Sequence, residues 1–190
     1  MLPRFFSHLL RWPRSHGFGV QSPSAYRFVK DIICEQYPYY AYASLAKKYP
    51  EDKVAQAFHQ FLLRLSNALQ AQHWVSNNLK TVELDYLKAG CKSAELSTSH
   101  PHPDGVIIDL EGLASDSDPI KSFYCRAVDQ MKPSGVMIIE GIHRNRSCTL
   151  FWQQVLADSH AVVTFDIYDC GVVFFDATKA KKNYKVMFSL

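Results

Sequence analysis

Three ionisable side chains follow two strongly apolar segments of this 190-residue chain. Asp109 ends the run that starts at Gly105, and Glu140 and His143 follow the run that starts at Val136. Continuous apolar runs of this length are typical of parallel strands that are buried on both faces. Open sheets of such strands bind ligands beyond their carboxyl ends. Asp109, Glu140 and His143 are therefore the candidate catalytic residues.

The same residues allow other interpretations. In one alternative, Asp109 has no catalytic role and either caps the following helix or faces solvent. With Glu140 and His143 it would make a mixed oxygen and nitrogen site for a metal ion. We favour an internally hydrogen-bonded cluster and predict no metal. A second metal-like string, His100 to His102 with Asp104, lies in a proline-rich segment, and we favour solvent exposure for it.

The elements that position these residues alternate along the chain. An amphipathic helix over residues 54–69 precedes the remaining predicted elements. The predicted strands are 73–76, 93–98, 105–109, 136–139, 161–168, 172–175 and 184–188, and the predicted helices are 77–90, 119–131 and 146–157. In the first of those helices Asn77 and Asn78 are the predicted caps and Gly90 the terminator. This order predicts an α/β fold with a mostly parallel sheet and a C-terminal antiparallel hairpin at or near its edge.

The first 50 residues differ in character from the rest, since they are aromatic-rich and irregular. Residues 22–24, Ser-Pro-Ser, are predicted to cap a helix over residues 25–33, and tyrosines cluster between Tyr37 and Tyr42. We predict an N-terminal extension over residues 1–50 and an α/β domain over residues 51–190. The arginines near the start allow two interpretations. Their segment lies on an acidic membrane surface or, as we favour, forms a helix that docks on its own domain or on a dimer partner.

Composition excludes several classes of protein. The net charge of +3 is too small to indicate a nucleic-acid binder. Five widely spaced cysteines without a C-x-x-C pair favour reduced thiols in a cytoplasmic protein. We expect no secretory signal and no membrane span, because no apolar run approaches the ~20 residues that cross a bilayer. Hydrolase and zinc-enzyme motifs are absent from the sequence.

Several segments together resemble one known family. Residues 15–29 read SHGFGVQSPSAYRFV, and residues 39–42 read YYAY. Residues 103–109 read PDGVIID, 136–143 read VMIIEGIH, and 163–175 read VTFDIYDCGVVFF. In order and spacing these segments resemble class I S-adenosylmethionine-dependent methyltransferases of the small-molecule O-methyltransferase type, with a helical N-terminal extension. The resemblance implies a Rossmann-like methyltransferase fold.

The chain departs from that family where the cofactor would bind. The family's first strand leads into a glycine-rich loop, whose glycines let the backbone approach the cofactor. Here Ser76 ends the first predicted strand, Asn77 follows it, and the next glycine is Gly90. The interval up to Gly105 is also too short for two further units, since each needs a crossover of ~10–12 residues plus a strand. At least one unit is therefore missing or reduced to a loop, and the fold is truncated in its first half.

Two functions follow from the resemblance and the departure. The first, which we favour, is a degenerate, non-catalytic domain that binds no cofactor and serves in binding or assembly, with a protein partner or a second copy. The alternative is an active O-methyltransferase that holds S-adenosylmethionine near Ser76, Asn77 and Asp109, with Glu140 or His143 as the base. A third, weaker interpretation is a binder of another small ligand, and whether the chain is an enzyme stays open.

Overall fold

A computed structural model describes residues 20, 22–113 and 119–188 of the chain. Its strands, numbered in chain order, are β1 His73–Ser76, β2 Glu95–Ser97, β3 Gly105–Asp109, β4 Val136–Glu140, β5 Val163–Asp166, β6 Cys170–Phe174 and β7 Lys182–Lys185. Its helices are α1 Pro23–Phe28, continued by a π-helical turn Val29–Ile33, then α2 Tyr42–Lys48, α3 Lys53–Leu69, α4 Thr81–Gly90, α5 Pro119–Gln130 and α6 Arg146–Ala157.

The strands form one mixed sheet in the order β2-β1-β3-β4-β6-β5-β7. Strands β2, β1, β3 and β4 are parallel neighbours, and β6 pairs antiparallel with both β4 and β5. Strand β5 therefore points the same way as β4. The predicted α/β class and the mostly parallel sheet with an antiparallel hairpin are confirmed, and a Rossmann-like arrangement is compatible with this order.

The described residues divide into two units. One contains the sheet, over residues 71–80 and 94–184 with their gap at 114–118. Its core is formed by apolar side chains of β3, β4 and β6 together with one face each of α5 and α6, among them Val106, Ile108, Met137, Ile139, Val173, Phe123, Phe151 and Trp152. Burial of these side chains supplies most of the free energy that holds the sheet, because the hydrophobic effect dominates folding.

The other unit comprises residues 22–70, 81–93 and 185–188. Helix α3 packs on α4, where the Ser66 hydroxyl donates to the Leu87 carbonyl at 2.8 Å. A Cβ on Gly90 would lie 2.3 Å from the Leu63 carbonyl oxygen, so only glycine lets these two helices approach so closely. Arg64 on the same helix is buried and donates to the Ile32 and Ile33 carbonyls.

The connection between β2 and β3 contains no helix. Parallel strands usually need a crossover of a dozen or more residues, but residues 98–104 alone join these two strands, which lie on either side of β1. The short path is possible because β2 has only three residues. The connection is held to the first residue of β1: His100 stacks on His73 with ring centroids 4.3 Å apart, and the Asp104 carboxylate accepts the His73 amide at 3.0 Å.

Several boundaries differ from those expected. Helix α4 begins at Thr81 and includes Gly90, so Asn77 and Asn78 do not cap it, because their side chains bond to Asp109 instead. The last strand is Lys182–Lys185, whereas residues 186–188 are buried and lie outside any strand. Those residues pack within the helical unit, where the ring centroids of Phe188 and Phe61 lie 5.6 Å apart.

Other expectations are tested only in part. Ser22, the first residue of the predicted cap, caps α1 by accepting the Ala25 amide, and the helix begins at Pro23 rather than at residue 25. The arginines near the start, Arg4, Arg11 and Arg14, lie outside the described residues, and the predicted boundary at residue 50 stays a prediction. All five cysteines lie within the described ranges, and none of the five forms a disulfide. In the part of the chain that the structure describes, no helix is both long and apolar enough to span a bilayer.

The Trp74 ring leaves no room for a side chain at position 105. A Cβ on Gly105 would lie 2.3 Å from the fully buried Trp74 ring, whose Nε1 donates to Ala71. We expect Gly105→Ala to lower the free energy of unfolding by about 1–3 kcal/mol, as overpacked cores do. Urea unfolding checks this, with the exposed substitution Ser134→Ala as the control. Equal stability of the two variants would contradict the prediction.

Candidate functional site

The candidate site lies at the edge of the sheet where five strands of one direction end. Their last residues are all polar: Ser97 of β2, Ser76 of β1, Asp109 of β3, Glu140 of β4 and Asp166 of β5. The chain leaves β1 toward β2 on one side, and β3 lies on the other. The ends of β1 and β3 are therefore the point at which the strand order reverses, where open α/β sheets bind their ligands.

Asp109 is the buried centre of this edge, with only 1% of its surface exposed. Four donors surround its carboxylate. Oδ1 accepts the Glu111 amide at 2.9 Å and Arg144 Nη1 at 3.3 Å. Oδ2 accepts Asn78 Nδ2 at 3.1 Å and lies 2.8 Å from Lys80 Nζ. Since a carboxylate offers about four lone-pair positions, this carboxylate is saturated.

Lys80 joins the two acids. Its Nζ lies 2.7 Å from Glu140 Oε2 as well as 2.8 Å from Asp109 Oδ2. Arg144 lies on the other side, with Nη2 3.8 Å from Glu140 Oε1. Two carboxylates and two cations thus form a neutral cluster, which we call the strand-end ion cluster: Lys80, Asp109, Glu140 and Arg144.

The pKa of Asp109 shows the balance of forces in this cluster. Burial alone would raise the pKa of the carboxyl, because it penalises the charged form. Hydrogen bonds from Lys80, the Glu111 amide and Asn78, together with the charge of Lys80, outweigh burial and hold the pKa below its ordinary value. Asp109 is therefore ionised at neutral pH, and its charge is neutralised by neighbours from this same chain.

Gly141 allows Arg144 to take its place. Gly141 has a φ of +80°, a backbone conformation that residues other than glycine adopt at a cost. A Cβ there would also lie 2.9 Å from Cζ of Arg144, so the guanidinium lies directly over the glycine backbone. Gly141 is thus the residue that gives Arg144 room to pair with Asp109 and Glu140.

The loop after β1 is bonded to Asp109 rather than left open. The Asn77 side chain accepts the Asp109 amide at 2.8 Å and donates to the Asp109 carbonyl at 2.9 Å. The Ser76 hydroxyl donates to the Asn78 carbonyl and accepts the Asn78 amide. The Asn77 bonds join the ends of β1 and β3 across the point where the strand order reverses, and the Ser76 bonds hold the loop in shape.

His143 is paired with a different acid. Its Nε2 lies 2.9 Å from Oδ2 of Asp166, which is 4% exposed. The other Asp166 oxygen accepts the Tyr168 amide at 3.0 Å, and Tyr168 has a φ of 75°. Asp166 thus orients the imidazole, and His143 belongs to a second pair at the same edge of the sheet.

The sequence-predicted residues therefore meet, in two groups. Ser76, Asn77, Asp109 and Glu140 come together around the strand-end ion cluster, whereas His143 pairs with Asp166. Sequence reasoning missed Asp166, because the predicted strand 161–168 runs past it, whereas the observed β5 ends at Asp166. It also missed Lys80 and Arg144, which precede or follow an element rather than end a strand. Arg144 carries one signal, since it lies four residues after Glu140 and has the opposite charge.

A metal ion fits these residues poorly. The lone pairs that would bind it already accept hydrogen bonds, and an ammonium group lies between the two carboxylates. Within residues 20, 22–113 and 119–188, no group of three or more His, Cys, Asp or Glu side chains is arranged to hold a metal ion. His100 and His102 add no such group, since His100 stacks on His73 and His102 is exposed.

Comparison with known proteins adds no assignment. No family model matches the chain, and no curated protein matches it.

Lys80 is expected to stabilise the fold through Asp109. Lys80→Ala removes the nearest cation from a buried carboxylate, although Asn78 and Glu111 still donate to it. We expect a loss of about 1–3 kcal/mol in the free energy of unfolding, measured with urea. The control is Lys132→Ala, which breaks a half-exposed pair with Asp104 and should cost about 0–1 kcal/mol. Equal losses in the two variants would contradict a special role for Lys80.

Asp109 is expected to make stability depend on acid pH. Because its pKa is depressed in the folded chain, its contribution is complete above the ordinary value of 3.8 and is lost as pH falls through the lower folded value. The amide introduced by Asp109→Asn cannot titrate. The unfolding free energy of that variant should therefore decline less than that of the wild type as pH falls from neutrality to below 3.8. Urea unfolding across this range measures the decline, and identical declines would count against it.

Proposed function

We propose that this chain is a methyltransferase-like α/β domain that has lost its cofactor-binding loop and acts in binding or assembly without catalysis. One observation carries the proposal: side chains of this chain fill the place between the ends of β1 and β3, where a ligand would otherwise bind. Asn77 bonds the backbone of Asp109 across it, and Lys80 bridges Asp109 to Glu140.

The loop after β1 supports this proposal by its composition. A cofactor such as S-adenosylmethionine needs a backbone that it can approach closely, and glycines provide this. Residues 77–80 are Asn, Asn, Leu and Lys, and three of the four side chains bond to Asp109. Ligand contacts at this loop would have to break bonds that the folded chain already makes.

The state of the acids supports the absence of catalysis. S-adenosylmethionine supplies an activated methyl group when bound, so the protein itself would orient the acceptor and remove its proton. A general base needs a free lone pair within about 2.6–3.2 Å of that proton. Asp109 has no lone-pair position left, and Glu140 is paired with both Lys80 and Arg144.

Two surfaces suit an assembly role. Strand β2 lies at the end of the sheet with β1 as its neighbour, and unpaired strand edges favour pairing with other chains. In the helical unit, Tyr37 and Tyr40 are 75% and 80% exposed. The expected binding partner is another protein or a second copy of this chain. Sedimentation velocity measures the assembly state directly.

One observation favours the alternative, an active S-adenosylmethionine-dependent O-methyltransferase. The four residues Ser76, Asn77, Asp109 and Glu140 do converge at the point where α/β sheets bind ligands. In that case the strand-end ion cluster would open when the cofactor binds, and Glu140 would be released to act as the base.

S-adenosylhomocysteine, the product form of the cofactor, distinguishes the two functions. We expect no change in the thermal unfolding midpoint at millimolar concentration, because Asn77 and Lys80 hold the loop against Asp109. A ligand at ~100 times its dissociation constant would add ~2.7 kcal/mol. For a domain of this size that raises the midpoint by several degrees, at ~2–4 °C per kcal/mol.

The control is the Asn77→Ala variant. It removes the two bonds between the loop after β1 and the Asp109 main chain, and it leaves the net charge unchanged. A midpoint shift in the wild type would contradict the proposal and favour the active enzyme. If S-adenosylhomocysteine raises the unfolding midpoint of Asn77→Ala only, the bonds of Asn77 to Asp109 are the reason that the wild type does not bind it.

A further inference from the structure

We propose that Lys80 is a tethered counter-cation that keeps divalent metal ions out of the acidic pair formed by Asp109 and Glu140. The two acids lie at the same edge of adjacent strands, in register with each other. Carboxylate pairs of this kind, completed by water, are what Mg²⁺ and similar ions bind in proteins. Here the ammonium group of Lys80 stands where such an ion would bridge them.

The distances argue that Lys80 and a divalent ion exclude each other. Nζ lies 2.8 Å from Asp109 Oδ2 and 2.7 Å from Glu140 Oε2, so it uses one oxygen from each acid. A metal ion would need these same oxygens at about 2.0–2.6 Å. It would then lie almost in contact with the ammonium group, and two like charges at that distance repel strongly in a partly buried site.

The charges lead to the same conclusion. Asp109 and Glu140 carry two negative charges, and Lys80 and Arg144 supply two positive ones. A divalent ion would find no uncompensated charge to attract it. The remaining Asp109 oxygen offers no alternative, because Glu111 and Arg144 already donate to it.

Lys80 is reachable from solvent, since 26% of its side chain is exposed. Its removal would therefore leave a space that water and an ion can enter, with one oxygen of each acid facing it. Arg144 would stay and would weaken the binding of the ion without covering those two oxygens, since it pairs with the opposite oxygen of each acid. The inference concerns this charge balance and does not rest on the proposed function.

Mn²⁺ titration followed by electron paramagnetic resonance tests the inference, because bound Mn²⁺ loses the sharp signal of the free ion. We expect the wild type to leave millimolar Mn²⁺ free and Lys80→Ala to bind one ion per chain. Lys80→Arg keeps the positive charge and should bind none. Lys132→Ala frees the single carboxylate of Asp104 and should also bind none.

Two further measurements cover a variant that folds poorly. Lys80→Ser is a second small, uncharged replacement, and bound Mn²⁺ should raise the unfolding midpoint of either variant, or restore its folding. Adding Asp109→Asn to Lys80→Ala should abolish the bound ion. The proposal is overturned if the wild type binds Mn²⁺ in an Asp109-dependent way. It is equally overturned if Lys80→Ala and Lys80→Ser, with Mn²⁺ present, neither bind the ion nor gain stability from it.

Discussion

A buried, ionised carboxylate at the end of the third strand constrains everything around it. Burying a charge without a partner costs far more free energy than a domain can spare, since folded domains are stable by only ~5–15 kcal/mol. Asp109 is 1% exposed and must therefore be surrounded by donors. Lys80, Asn78, Arg144 and the Glu111 amide fulfil this requirement, and each comes from a different position in the loops that follow β1, β3 and β4.

That requirement explains the local conformation of two loops. The segment from Asn77 to Lys80 folds back over β3 before α4 begins, because its side chains donate to Asp109. The turn after β4 uses Gly141 at a positive φ so that Arg144 can lie against its backbone and reach the same carboxylate. Both loops are thereby drawn over the place where α/β sheets bind ligands, and the functional proposal follows from this closure.

Much of the fold was predictable because it depends on local patterns. Apolar runs bounded by turn residues located β1 and β3 at their observed limits, and α6 likewise, since periodicity and flanking residues define such elements. The end of the chain was harder: residues 186–188 are as apolar as a strand, but they are buried in the helical unit. Alternation and propensity do not distinguish a strand from an apolar segment that packs without one.

The candidate site was predictable in its acids but not in its cations. Asp109 and Glu140 end strands, and topology brings strand ends together. Lys80 and Arg144 lie in loops whose paths depend on the bonds they make, so no sequence pattern places them in advance. Asn77 was expected to cap a helix. It instead bonds the main chain of Asp109, because satisfying a buried backbone N–H and C=O outweighs a cap on an exposed helix end.

The most direct test of this account is a double-mutant cycle between Lys80 and Asp109, using Lys80→Ala, Asp109→Asn and the two together. Urea unfolding at neutral pH gives the free energy of unfolding of each variant and hence the coupling energy of the pair. Contacting residues couple by ~0.5–3 kcal/mol. We expect a favourable coupling of at least about 1 kcal/mol, because Lys80 is the nearest cation to the buried charge of Asp109. A coupling near zero would mean that Asp109 does not depend on Lys80, and it would contradict the account.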